Sequence, residues 1–171
     1  MTTKSASVIY SLRNTALIQS TSCTRQIDIG IEGAQDAQVW ASELDMIALV
    51  RNLGDNAVRY TPHGGRVDLS VRIQAGCAVL QVRDDGPGIR PAERDRVFDP
   101  FYRTLGTSQV GSGLGLSIVH AIAERIGARI DLGFTDEATQ SGLCVTLTMP
   151  EAVGRGQARA RSQAWNANDV L

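Results

Sequence analysis

The sequence predicts an α+β domain: a mixed, mostly antiparallel sheet with helices packed on one face. Three observations carry that prediction. Strand-like segments come in adjacent pairs separated by turn residues, amphipathic helical segments break the series at only two places, and the order is helix, strand, strand, long loop, helix, strand, strand. With 171 residues, 43% hydrophobic and 20% charged, the chain has the length and composition of one globular core. Aromatic residues make up only 5%, so aliphatic side chains have to fill that core.

Residues 1–25 are rich in Ser and Thr, and their apolar scatter (Val8, Ile9, Tyr10, Leu12, Leu17, Ile18) fits neither period. They read as a linker or a remnant of a preceding element. Residues 26–31, QIDIGI, alternate as a strand, and QVW at 38–40 is a second short one. Ser42-Glu43-Leu44-Asp45 has the form of a capping box, and Met46, Leu49, Val50, Leu53 and Ala57 behind it recur at helical spacing as far as Tyr60. Thr61-Pro62-His63-Gly64-Gly65 stops that helix. RVDLSVRI at 66–73 alternates strictly, and AVLQVRD at 78–84 is its hairpin partner across a turn. A loop rich in Gly and Pro follows, with a short helical stretch at 92–97; a loop this long inside a compact domain is a functional signal. In the second helix Leu116, Val119, Ile122, Ala123 and Ile126 point inward and Gly127 ends it. Strands at 128–134 and 143–149 close the fold, giving a domain over 26–150 and a disordered tail over 151–171.

Charge and cysteine content exclude several functions. Seventeen Lys and Arg against 18 Asp and Glu give a net charge of −1, so nucleic acid meets no general basic field, and an anion site has to be local. Arg155, Arg159 and Arg161 read as a solvated end. Cys23, Cys77 and Cys144 form no C-x-x-C pair, which argues against a disulfide framework or a zinc site and for a reducing, cytoplasmic setting. No apolar run reaches the ~18 residues of a membrane span, so direct membrane insertion is not expected.

Three segments carry chemistry. Asn52, Asn56, Arg59 and Tyr60 share one stripe of the first helix, apart from the apolar one. An amide oxygen is a neutral hard ligand suited to Mg²⁺, which is held by few protein groups plus water and phosphate. Asp84-Asp85-Gly86-Pro87-Gly88-Ile89 sets an acid at a strand end before two glycines, where backbone can approach a planar ligand and the carboxylate can accept from an exocyclic amine. Gly111-Ser112-Gly113-Leu114-Gly115-Leu116 opens the second helix, whose unpaired N–H groups and dipole favour phosphate. It fails the dinucleotide fingerprint, since Leu116 stands where glycine is needed, and the chain contains no P-loop.

Each segment alone is also an ordinary helix face, turn or loop. Together and in this order, LVRNLGDNAVRYTP, RDDGPGI, FDPFYR and GSGLGLSIV resemble the N box, first glycine box, F box and second glycine box of sensor histidine kinases, most closely the proteobacterial quorum-sensing and polymyxin-resistance sensors. The resemblance implies the Bergerat α/β sandwich, shared with DNA gyrase, the heat-shock chaperone ATPases and the anti-sigma-factor serine kinases, with ATP and Mg²⁺ as cofactors. By it, Asn56 holds the metal, Asn52 lies near the phosphates and the attacking group, and Arg59 reaches a phosphate oxygen. Tyr60 flanks the adenine, Asp84 accepts from its amino group, and Gly86, Gly88 and Ile89 shape the pocket floor. Gly111, Gly113, Leu114, Gly115 and Leu116 cradle phosphates, Thr146 lies near the base, and residues 90–110 form an ATP lid with Phe98 and Phe101 docking and Arg103 close to the phosphates. The departures are Asp85 in place of the commoner Asn, FDPF in place of FERF, and Leu143 and Val145 where Thr and Phe are usual.

A histidine kinase also needs a phosphoacceptor His followed by an acid on a dimerising helix. His63 precedes Gly64 and His120 precedes Ala121, so neither fits. The resemblance therefore implies a catalytic module that phosphorylates a histidine on a dimerisation domain elsewhere, with a response regulator downstream and an inner-membrane parent on its cytoplasmic face. Two rivals remain: a non-catalytic ATP-sensing interaction module, and a serine kinase or ATPase of the same fold. The latter place Glu where this chain has Asn52, which cannot act as a base.

Overall fold

The computed structural model describes residues 5–14, 26–102 and 113–152. Five strands form the main sheet in the order β2-β4-β5-β7-β6: β2 (Asp28–Glu32), β4 (Arg66–Gln74), β5 (Cys77–Asp84), β6 (Arg129–Asp136) and β7 (Ser141–Pro150). Only β2 pairs in parallel, with β4; the other pairs are antiparallel. The register stacks Val71, Leu80, Leu147 and Ile130 in one row and Leu69, Val82, Val145 and Leu132 in the next. These rows join the helices in one hydrophobic core. On the opposite face the same register lines up Ser70, Gln81, Thr146 and Asp131, as period-two alternation requires.

Helix α2 (Glu43–Tyr60) starts as its capping box predicts, with Ser42 Oγ accepting from the Asp45 N–H at 3.1 Å. Met46, Leu49, Val50, Leu53, Gly54, Ala57 and Val58 are buried on one side of it. Thr61 ends it by sending both its N–H and its hydroxyl to the Ala57 carbonyl, at 3.0 and 2.7 Å. Helix α3 (Gly115–Ile126) runs antiparallel to α2, because Arg125 pairs with Asp45 at one end and Gly115 lies against Asn56 at the other. Gly127 closes α3 in the left-handed conformation, φ 68°.

The structure revises three boundaries. Residues within 1–25, expected as a linker or remnant, include a short strand β1 (Ser5–Ser7) and helix α1 (Val8–Asn14), with Ala6, Val8, Ser11 and Leu12 buried. β1 pairs antiparallel with β3 (Gln38–Trp40). Three residues of strand followed at once by two turns of helix give neither period time to register. The helical stretch expected at 92–97 is instead two 3₁₀ turns, Pro91–Glu93 and Arg96–Phe98; Pro91 opens the first because it has no N–H to contribute. Glu151 and Ala152, expected in the tail, are tied to β3: Glu151 bridges to Val39 and the Ala152 N–H donates to the Gln38 carbonyl at 2.6 Å. The rest of that tail lies outside the described residues.

Candidate functional site

The site is built along α2. At its C-terminal end the Tyr60 carbonyl approaches Gly86 so closely that a Cβ there would lie 3.0 Å from it and 2.8 Å from Asp84 Oδ1. One turn earlier, Asn56 fills the space over the first residue of α3: a Cβ on Gly115 would stand 2.7 and 2.8 Å from its amide nitrogen and oxygen. A single helix thus joins the loop after β5 to the start of α3. One further turn back is Asn52, whose Nδ2 donates to the Ala48 carbonyl at 2.8 Å, leaving the amide oxygen as its outward acceptor. Arg59 lies on the same helix, partly exposed.

Asp84 is the electrostatic centre. It ends β5 on the core face and is 4% exposed. Its Oδ1 accepts from the Gly86 N–H at 2.8 Å and the Leu143 N–H at 3.1 Å. Burial pushes its carboxyl from 3.8 up to about 6, against those two bonds and with a smaller push from Asp85. Both bonds end on one oxygen, so Oδ2 is the atom left to accept from a ligand.

Gly88, at φ 72°, lets the loop turn onto the Phe134 ring and the Gly142 carbonyl, each of which a Cβ would meet at 2.8 Å. Ile89 is buried below, and its carbonyl accepts from Arg94 Nε at 3.2 Å while the Arg94 guanidinium lies 4.8 Å over Phe134. Phe98 packs at 4.9 Å against His120 of α3, so that histidine serves packing; His63 is exposed in the turn after α2.

At the other end of the site, no side chain caps the amino terminus of α3, and Leu114 leads into it. Leu116 packs partly against the core. Gly113, φ 70°, is fastened by the Phe101 N–H donating to its carbonyl at 3.1 Å. Arg103 and Gly111, both expected at the phosphates, lie outside the described residues, as do residues 104–110 of the expected lid.

Thr146 is not part of this cluster. It stands on the sheet face opposite Asp84, where its hydroxyl accepts from Gln81 Nε2 at 3.0 Å. Even and odd positions of β7 face opposite ways, which sets Thr146 away from Asp84; Leu143 is the residue of β7 that reaches Asp84, through its backbone N–H. The sequence reading also missed Phe134, Thr135 and Gly142. Ser141-Gly142 was a visible turn signal, whereas a backbone donor carries no residue signature.

A cation bound here would be held by few protein groups, since no cluster of three His, Cys, Asp or Glu exists among the described residues. The Asn56 amide, held against the uncapped start of α3, fits Mg²⁺ bound mainly by phosphate and water.

A family model described as histidine kinase-, DNA gyrase B- and HSP90-like ATPase matches residues 41–153, more than half of the chain. The chain belongs to this ATPase family. Among its relatives in the family, it is 36% identical over 130 residues to the swarming motility regulation sensor protein RssA of Serratia marcescens, covering 75% of this chain and 27% of that one. It is 45% identical over 114 residues to the sensor protein kinase PmrB of Pseudomonas aeruginosa, covering 66% and 24%. The solved mycobacterial sensor histidine kinase MprB superposes with a TM-score of 0.77 at 29% identity, covering 88% of this chain and 98% of that one. The chain thus corresponds to the ATP-binding catalytic module of sensor histidine kinases and spans about a quarter of the length of the curated relatives. No helix among the described residues is long and apolar enough to cross a membrane.

Proposed function

We propose that this chain binds Mg-ATP between α2, the loop at 84–89 and the start of α3, and donates the γ-phosphoryl group to a histidine on a dimerisation domain, from which it passes to a response regulator. The observation that carries the reading is Asp84: a buried carboxylate with one oxygen occupied by two backbone N–H groups and the other left for a donor such as the adenine amino group. The place of action is the cytoplasmic side of a membrane-anchored sensor.

Phosphoryl transfer asks a protein chiefly for positioning and charge neutralisation. Asp84 fixes the base, with Gly86, Gly88, Ile89 and Tyr60 around it. Asn56 would hold Mg²⁺, which would supply neutralising charge at the phosphates, and the N–H groups at the start of α3 with Gly113 and Leu114 would donate to phosphate oxygens. Arg59 adds positive charge, as would Arg103. Asn52 has no basic lone pair, so deprotonating water or a serine hydroxyl is not its role, and the reading favours a histidine acceptor that needs no such base. The acceptor imidazole nitrogen forms its bond to the γ-phosphorus as the bond to the β-γ bridging oxygen breaks, and ADP leaves with that oxygen.

Calorimetric titration of ATP with Mg²⁺, with Asp84→Asn alongside, tests the nucleotide site: saturable binding abolished by the substitution is expected. Labelled ATP mixed with the chain and a separate dimerisation domain from a related sensor then tests transfer. ATP binding without labelled histidine on any acceptor would turn the reading towards an ATP-sensing interaction module.

A further inference from the structure

The bonds at the end of β5 leave the ladder. The β5–β7 register runs through Val82↔Val145 and Arg83↔Cys144 and stops; one step further, Asp84 would face Leu143. Instead the Leu143 N–H donates to the Asp84 side chain at 3.1 Å. The Asp84 main-chain carbonyl takes its bond from another strand, the Thr135 hydroxyl of β6, at 2.9 Å. Gly142 makes this exchange possible. At φ 70° it draws the start of β7 in so closely that a Cβ would strike the Asp84 carbonyl and the Thr135 side chain, and its own N–H donates to the Gly86 carbonyl at 2.7 Å. The hairpin therefore grips both ends of the base-facing turn.

We infer that Thr135 is a positioning residue for recognition of the purine base: its hydroxyl holds the Asp84 carbonyl, which keeps the Leu143 N–H on Oδ1 and Oδ2 turned to the exocyclic amine. The inference rests on the proposed role of Asp84. Gly142 and Leu143, which flank this strand-end carbonyl, are buried, so it needs a donor from the protein. Without the hydroxyl, the donor next in register is the Leu143 N–H; when it turns to the carbonyl, the carboxylate loses one of its two anchors.

The test uses the whole chain with Thr135→Val, Thr135→Ala and Thr135→Ser, titrated in Mg²⁺ with ATP and with inosine triphosphate, which lacks the exocyclic amine. Melting temperatures are measured in parallel. Thr135→Val and Thr135→Ala are expected to weaken ATP roughly fivefold to tenfold, the scale of one hydrogen bond, with inosine triphosphate unchanged, and Thr135→Ser to retain ATP affinity. Equal weakening of both nucleotides, or ATP affinity unchanged in Thr135→Val and Thr135→Ala, overturns the inference alone. An unaltered chain that does not distinguish the two nucleotides overturns the reading of Asp84 and this inference with it.

Discussion

Replacing Asp84 with Asn should make the protein more stable while removing its ligand. The carboxyl is 4% exposed and titrates at about 6 instead of 3.8, mainly because burial disfavours the charge. The native state therefore holds its proton more tightly than the unfolded chain does, and stability falls as pH rises between 3.8 and about 6. That interval, at ~1.4 kcal/mol per pH unit, makes the ionised carboxylate cost about 3 kcal/mol at pH 7. Asparagine keeps an oxygen for the Gly86 and Leu143 N–H groups and carries no charge. Its amide nitrogen lacks a partner at the Oδ2 position, so about 3 kcal/mol is an upper limit, or roughly 6–12 °C in melting temperature. Chemical denaturation at pH 7 and at pH 4 is the assay: the gain should be present at pH 7 and vanish at pH 4, where Asp84 is largely protonated. A variant less stable at pH 7, or equally stabilised at both pH values, refutes the argument. The native residue thus holds a destabilising charge where the proposed base-binding site needs an acceptor.

Further expectations concern the rest of the site and its scaffold. Gly115→Ala brings a methyl within 2.8 Å of the Asn56 amide; ATP affinity in Mg²⁺ should fall while helical circular dichroism is retained, because Ala suits a helix. Gly142→Ala meets both a positive φ and the Asp84 carbonyl, so melting temperature and ATP affinity should fall together. Leu80→Ala, fully buried in the central strand, should cost about 2–5 kcal/mol by denaturant titration without altering the nucleotide contacts. Ser42→Ala removes the acceptor for the Asp45 N–H and should cost about 1 kcal/mol in the same assay.

Sequence and tertiary structure divided the work according to how each residue acts. Where a side chain belongs to a locally defined element, its placement was legible in the sequence: the period of α2 put Asn52, Asn56, Arg59 and Tyr60 on one stripe, and alternation put Asp84 at the end of a strand before Gly86 and Gly88. Alternation also carried the information that sets Thr146 on the face opposite Asp84, and the reading by resemblance went against it. Packing of Ala6, Val8 and Leu12 into the core was hidden because one short strand and two helical turns are too brief for either period to be counted.

The order of the motifs along the chain, by itself, determined the ATPase fold and the kinds of group at the site. Only the tertiary structure decided that Thr135 of the β6–β7 hairpin, 51 residues beyond Asp84, bonds the Asp84 carbonyl, and that Asn56 and Gly115 meet across two antiparallel helices. The physical reason is that periodicity reports which way a side chain faces within its own element. Backbone donors and glycine approaches depend on what another strand or helix brings to the same place.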